Sequence, residues 1–343
     1  MKLLVVNLAA SSVNWRLPEW AEQRITESAP GGWSVRFVRA PTISDADGDP
    51  RPSAEAVEAI RDADAYFGFG MSPPLFAEAT RLRWVHSAAV GIAAVLFDDF
   101  VRSPVALTNS AGIMGPPIAE HVVGGLLYLC RVFDAAVDLQ RRATWDKAPF
   151  VSPESRIREL GRCRALIVGA GGIGSAIAER LSAFGTTVTG MRRRPGLGLP
   201  PGCARVVGPD ALDEELPGAD VLVLAAPHTR STRGLMTAER LDLLPEGAML
   251  ANVARGALVD EAALIARLQS GRLRGAVLDV FTREPLPSDS PLWQLPQVLL
   301  TPHVSAVSPE GFWARELDLF LDNWRRFDAG SPLRNLVDKY EGY

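Results

Sequence analysis

The chain is predicted to be an α/β protein with two doubly wound parallel-sheet domains, on three observations. Its 343 residues are many for one compact core and suit two. Short apolar runs alternate with amphipathic stretches along most of the chain, as strands do when helices cover both faces of a parallel sheet. The alternation occurs twice, on either side of a long apolar stretch at residues 116–142.

In the first run, residues 3–6, 35–38, 65–69, 84–87 and 105–108 read as strands, and 19–27, 53–61 and 74–79 as helices. Residues 41–52 hold three Asp, one Gly and three Pro, the composition of a surface loop. From 116 to 142 the only interruption is Gly124-Gly125, and apolar positions fall on nearly every side as far as Leu129, which predicts one long, largely buried helix. Residues 143–162 are polar and contain Pro, a connection into the second run. There 165–168, 187–189, 221–224, 248–252, 275–279 and 298–301 read as six strands, the number a complete doubly wound dinucleotide fold requires. The tail from 308 to 343 carries one amphipathic helix, with Phe312, Leu317, Phe320, Leu321 and Trp324 apolar, expected to pack back on the first domain.

Composition narrows the function. A hydrophobic content of 47% with 22% charged residues is that of a folded globular chain. A net charge of -4 offers no broad positive field, so a small ligand is expected rather than nucleic acid. No segment reaches the ~18 apolar residues of a membrane span. The first residues could pass for a signal peptide, but the apolar run is short and Asn7 interrupts it, so it reads as a first strand ending in a Ser-rich turn and the expected location is the cytoplasm. Cys130, Cys163 and Cys203 are odd in number and widely spaced, which fits reduced, buried thiols rather than a disulfide framework or a zinc site; no metal is expected.

Gly169-Ala170-Gly171-Gly172-Ile173-Gly174 is a G-x-G-x-x-G directly after the strand at 165–168 and before a helical stretch at 175–184. In that setting Gly169 makes the tight turn, Gly171 admits a pyrophosphate, Gly174 lets helix and strand pack closely, and the helix N-terminus faces the phosphates. A glycine-rich turn that binds nothing is the plainer alternative, and the flanking strand and helix argue against it. The residue ending the next strand selects the dinucleotide. An acid there would accept from the ribose hydroxyls, whereas this chain has Arg192-Arg193-Arg194 about 20 residues beyond the loop. Guanidiniums suit a 2′-phosphate, so NADP is expected over NAD, with NAD still usable. The alternative is a solvated basic turn before Pro195.

Ligands of doubly wound folds sit at the carboxyl ends of strands, where His86, His228 and His303 all fall, and the residues alone do not choose among them. His121 lies inside the long helix and reads as a packed histidine. Arg255 and Glu284 follow strands of the second run and would reach the same edge as His303.

From Asn109 to Ala306 the sequence resembles the D-isomer-specific 2-hydroxyacid dehydrogenase family. The motifs are Pro117-Ile118-Ala119-Glu120-His121, the glycine loop, Ala226-Pro227-His228-Thr229, Asn252-Val253-Ala254-Arg255-Gly256, Leu278-Asp279-Val280-Phe281 with Glu284-Pro285-Leu286, and Thr301-Pro302-His303. The resemblance implies that Arg255, Glu284 and His303 are catalytic. It also implies that Val90 and Gly91, with Arg255, hold the substrate carboxylate. The coenzyme is implied to contact Gly169, Gly171, Gly172, Ile173, Gly174, Arg192, Arg193, Pro227, Thr229, Val253, Ala254, Arg255, Asp279 and His303. Ala93 stands where many relatives have Asp, and Gly172 where many have a larger residue. Arg192 stands where NAD-dependent members have Asp and resembles the NADP-dependent glyoxylate and hydroxypyruvate reductases, as does the closing Arg334-Asn335-Leu336-Val337-Asp338 with Gly342-Tyr343.

By this resemblance a Rossmann coenzyme domain, residues 113–303, is inserted into a flavodoxin-like substrate domain made of 1–112 and 304–343, and the cleft between them holds nicotinamide and substrate. The expected reaction is hydride transfer between NAD(P)H and a small 2-oxo acid such as glyoxylate or hydroxypyruvate. The rival readings are a dinucleotide-sensing interaction protein and a relative acting on formate or phosphite. A homodimer through residues 116–142 is expected, since that apolar stretch looks larger than one coenzyme domain needs.

Overall fold

The computed structural model describes residues 1–10, 15–40, 52–309 and 311–342. The Ser-rich turn at 11–12, residues 41–51 of the expected loop, and Tyr343 therefore lie outside the described residues. The chain forms two compact units, Met1–Ile113 with Val307–Tyr343, and Met114–Ala306. The junctions fall one and three residues beyond those expected at 113 and 303.

The first unit is built on five parallel strands, β1 (Lys2–Asn7), β2 (Trp33–Phe37), β3 (Ala65–Gly68), β4 (Trp84–Ser87) and β5 (Ala106–Asn109), in the order β2-β1-β3-β4-β5. This is the flavodoxin-like order. The C-terminal helix, Phe312–Asp328, returns to this sheet as its apolar stripe requires. Phe320 stacks on Phe67 with centroids 4.0 Å apart, and Trp324 meets Trp33 edge-on at 5.5 Å.

The second unit carries seven parallel strands: β6 (Arg164–Val168), β7 (Thr187–Met191), β8 (Arg205–Val207), β9 (Val221–Leu224), β10 (Ala248–Asn252), β11 (Leu273–Leu278) and β12 (Val298–Leu300). Their order, β12-β11-β10-β9-β6-β7-β8, is the dinucleotide-fold order with one strand added beyond it. The six-strand expectation missed β8. That strand is three residues long, pairs only with β7, and its sequence Arg-Val-Val is too short to alternate. The strand at 298–301, expected as the sixth, is the seventh.

The single helix expected over 116–142 is two, Gly115–Cys130 and Phe133–Arg141, with Val132 between them in the left-handed region at φ 57°. Where the two meet stands Arg274 on β11, only 3% exposed. Its guanidinium donates to the Leu129 carbonyl at 2.9 Å and to the Asp134 carboxylate at 3.1 and 3.3 Å. The Leu129 carbonyl thus accepts both from Arg274 and from the Val132 N–H, at 3.2 Å, at the end of the first helix. The first helix buries Ile118, Ala119, Val122, Leu126 and Leu129 with Ile167, Ile177, Leu181, Met249 and Val277 of its own unit. Its apolar face, which the sequence had reserved for a second subunit, is covered within the chain. Large exposed apolar side chains lie further along, at Phe133, Trp145 and Val151.

Candidate active site

The glycine loop joins β6 to the helix Gly172–Ala183. Gly169 has φ +103°, and a Cβ there would fall 2.4 Å from the Ala226 backbone nitrogen, so only glycine makes this turn. A Cβ at Gly174 would meet the Gly169 carbonyl oxygen at 2.2 Å, while one at Gly171 would meet nothing within 4 Å. Two of the three spacings are therefore closed by the protein itself, and the third opens onto space in front of a helix N-terminus. The first turn of that helix, Gly172, Ile173 and Gly174, has backbone donors without intrahelical acceptors. A pyrophosphate fits this cradle, because unpaired N–H groups and the positive end of a helix dipole favour an anion.

Arg192 follows β7, and its backbone N–H donates to Val207 of β8 at 3.1 Å. Its guanidinium is half-buried and turned onto the following turn, donating to the Gly198 and Pro195 carbonyls. Arg193 and Arg194 are exposed beside it. A 2′-phosphate would thus compete with a backbone carbonyl for Arg192. Pro227 and Thr229 lie in the loop after β9. Thr232 ties that loop, its hydroxyl donating to the Pro227 carbonyl at 2.6 Å and accepting from the Thr229 N–H at 2.7 Å.

Three further loops leave the same carboxyl edge. After β10, Asn252 accepts from the Ala254 N–H at 3.1 Å and donates to the Arg255 carbonyl at 3.0 Å, closing a turn that buries Val253 and Ala254 and leaves Arg255 exposed. After β11, the Glu284 carboxylate accepts from the Phe281 N–H at 2.9 Å through one oxygen and meets His303 Nδ1 at 2.8 Å through the other. After β12 comes His303 itself. Glu284 and His303 side chains are each 37% exposed, so the pair is open to a ligand while Nδ1 is committed. The imidazole Nε2 is left for chemistry. A carboxylate on Nδ1 orients the ring.

Asp279, at the end of β11, is fully buried. Its carboxylate accepts from the Thr301 hydroxyl at 2.6 Å and from the N–H groups of Val304 and Ser305, both at 2.9 Å. It clamps the loop that presents His303. Sequence reasoning gave Asp279 a place beside the coenzyme and missed this clamp; an acid two residues before Phe281 gave no sign of partners more than twenty residues ahead. His121 joins the cluster, its Nε2 3.2 Å from the Thr301 hydroxyl, as a packed helical histidine would.

The other histidines separate cleanly. His86 is fully buried in the first unit, between the Thr108 hydroxyl at 2.7 Å and Glu316 at 3.0 Å, and is closed to any substrate. His228 is exposed in the loop after β9. Val90 and Gly91 follow β4 at the carboxyl edge of the first unit's sheet, where the Val90 carbonyl accepts from the Asn109 side chain at 3.0 Å. Gly91 is exposed, with open space where a Cβ would stand.

A family model described as D-isomer specific 2-hydroxyacid dehydrogenase, NAD binding domain, matches residues 123–305. Glyoxylate/hydroxypyruvate reductase A of Salmonella newport (strain SL254) is 35% identical over 270 residues, covering 77% of this chain and 82% of that protein. Among solved structures, a D-isomer specific 2-hydroxyacid dehydrogenase from Xanthobacter autotrophicus Py2, in complex with NADPH and MES, is 32% identical with a TM-score of 0.79 and full coverage of both chains. An NADPH-dependent glyoxylate/hydroxypyruvate reductase from Sinorhizobium meliloti, in complex with NADP and sulfate, is 27% identical with a TM-score of 0.76, again over both full chains. With the glycine cradle, the loop of Arg255 and the Glu284–His303 pair on one sheet edge, these likenesses give one answer: the chain belongs to the D-isomer specific 2-hydroxyacid dehydrogenase family.

Proposed function

We propose that this protein reduces a small 2-oxo acid of the glyoxylate or hydroxypyruvate type to the D-2-hydroxy acid, with NADPH preferred over NADH. The observation that carries this is the Glu284–His303 contact of 2.8 Å on Nδ1, which leaves Nε2 as a proton donor. When bound, the reduced nicotinamide supplies a hydride to substrate C2. His303 gives its Nε2 proton to the C2 oxygen as that oxygen gains charge, and Glu284 holds the ring in place. Arg255 binds the carboxylate and polarises the C2 oxygen with the same planar guanidinium. The backbone N–H groups around Val90 and Gly91 serve the substrate carboxylate. Gly169 to Gly174 take the pyrophosphate, Pro227, Thr229, Val253 and Ala254 flank the dinucleotide, and Arg192 with Arg193 takes the 2′-phosphate.

NADPH is favoured on the chemistry of Arg192 and Arg193 and on the NADPH- and NADP-bound relatives. A cytoplasmic location accords with three free cysteines and with the finding that no helix among the described residues is long and apolar enough to cross a membrane. A homodimer accords with the exposed Phe133, Trp145 and Val151. The discontinuous unit, Met1–Ile113 with Val307–Tyr343, is the one we assign to substrate binding.

The test is steady-state turnover of a panel of 2-oxo acids with NADPH and with NADH. Reduction of glyoxylate or hydroxypyruvate is expected. A chain that binds NADPH and reduces none of the panel is a sensing protein, and formate or phosphite oxidation in its place makes it another kind of dehydrogenase.

A further inference from the structure

Residues 335–337 run along the outer edge of β5, the last strand of the first unit's sheet. Leu336 forms an antiparallel bridge with Thr108, the Val337 N–H donates to the Leu107 carbonyl at 2.8 Å, and the Asn109 N–H donates to the Asn335 carbonyl at 3.3 Å. Further on, Lys339 Nζ donates to the carbonyls of Ser103 at 2.6 Å, Val105 at 3.0 Å and Phe100 at 3.1 Å, which pins the segment at its other end.

A relay of asparagines carries this edge contact into the loops at the sheet's carboxyl end. Asn323, on the helix Phe312–Asp328, is fully buried. Its side-chain amide pairs with the Arg334 backbone, donating to the carbonyl at 3.0 Å and accepting from the N–H at 2.8 Å. A buried amide satisfied at both ends holds residue 334, and with it residue 335, in one place. Asn335 takes φ 52°, a state asparagine tolerates, and its Nδ2 donates to the Asn109 carbonyl at 3.1 Å and the Ala111 carbonyl at 2.8 Å. Asn109 in turn accepts from the Ala111 N–H through Oδ1 at 3.3 Å and donates from Nδ2 to the Val90 carbonyl at 3.0 Å. The Ser110 N–H ties the same two loops again, at the Ala89 carbonyl, 3.3 Å away.

The Val90 carbonyl shares a peptide plane with the Gly91 N–H, and in a trans peptide the two groups point in opposite directions. By fixing the carbonyl, Asn109 therefore aims the N–H away from itself. Among the described residues no acceptor meets that N–H, and Gly91 is exposed, so a ligand oxygen can reach it.

We propose that Asn335 is a positioning residue for substrate binding: it holds Asn109, which sets the direction in which the Gly91 N–H meets the substrate carboxylate. The inference rests on the assignment of Val90 and Gly91 to that carboxylate, and it adds to them a residue 226 positions after Asn109. The carboxylate is bound alike before and during hydride transfer, so a misaimed N–H weakens both states equally and the effect belongs in KM. A segment that merely supported the fold would instead lower the amount of active enzyme, and so the apparent kcat, leaving KM alone.

The experiment follows, in the full-length protein, reduction of glyoxylate and hydroxypyruvate, NADPH affinity by fluorescence titration, and amide hydrogen exchange over residues 109–111. Asn335→Gly keeps the left-handed bend and deletes the amide, while Asn335→Asp keeps the shape and offers no donor. Both should raise KM for the 2-oxo acid about tenfold or more, the low end for one lost hydrogen bond to a charged group, with kcat and NADPH affinity nearly unchanged. Exchange at 109–111 should quicken in both, since the N–H groups of Asn109, Ser110 and Ala111 are all held in this network. Leu336→Ala, next along and 58% exposed, should match the parent enzyme in every reading. Unchanged KM, a fall in kcat alone, unaltered exchange, or an equal rise in KM with Leu336→Ala would each overturn the proposal. A parent enzyme that reduces neither acid fails the functional reading first and takes this inference with it, an outcome distinct from an active parent whose variants behave alike.

Discussion

A Cβ at position 256 would fall 1.9 Å from the carbonyl carbon of Phe281, so the loop bearing Arg255 and the loop bearing Glu284 meet backbone to backbone through Gly256. Gly256→Ala must push them apart. An ångström of misplacement costs about 10²-fold in a positioned reaction, so kcat/KM should fall by roughly that much. NADPH affinity, which we assign chiefly to the glycine cradle, should change little. Stopped-flow reduction alongside coenzyme fluorescence titration separates the two.

Asp279→Asn keeps size and removes charge. The amide can accept from only one side, leaving a donor facing either Val304 or Ser305, and hydrogen bonds to charged groups contribute about 1.5–3 kcal/mol each. Urea denaturation should show a loss of about 2 kcal/mol, and turnover should fall with it although Asp279 carries no proton in the reaction. Unchanged stability would mean the clamp is weak.

Glu284→Gln removes the anion 2.8 Å from His303 Nδ1. The amide holds Nδ1 less firmly than a carboxylate does, so kcat for reduction should fall while NADPH affinity, read by fluorescence titration, stays near that of the parent enzyme. His303 variants lacking the imidazole should lose about 10²–10⁴-fold, as for a lost general acid. The corresponding losses in an Arg255→Ala variant should appear in both KM and kcat.

The coenzyme preference should be about ten- to hundredfold for NADPH, since Arg192 must leave the Gly198 carbonyl to bind phosphate and charged hydrogen bonds contribute about 1.5–3 kcal/mol each. Arg192→Asp should reverse it, Arg194→Ala should change little, and added salt should weaken it. Equal kcat/KM for both coenzymes at low salt would reduce the arginines to a solvated turn.

If Phe133, Trp145 and Val151 lie at a subunit interface, light scattering should give a dimer at micromolar concentration, and Trp145→Asp should shift it toward monomer. A monomeric wild type would refute the homodimer.

Local pattern made much of this legible. The strand at 84–87 and the helix at 19–27 lie where periodicity put them, because each is decided by its own residues. What stayed hidden depends on partners far along the chain. The helix end at Cys130 is braced by Arg274, and His86 is shut away by Glu316, 230 residues later. At the site, position at strand ends left three histidines equal, and only the resemblance favoured His303. The pairing with Glu284 became visible once the loops were in place, and the clamp by Asp279 had no local signature at all.

His303 sits at φ 55°, a backbone state that costs most side chains a kcal/mol or more and suits histidine, asparagine and glycine. Evolution and engineering meet a narrow gate here, since any replacement must satisfy the backbone before its chemistry is considered. Alanine tests the imidazole and the bend together, and valine adds the strain of a β-branched side chain to the same loss. Asparagine, at ease in the left-handed region, deletes the proton donor while leaving the loop's shape alone, which makes His303→Asn the cleaner control for any claim about this imidazole.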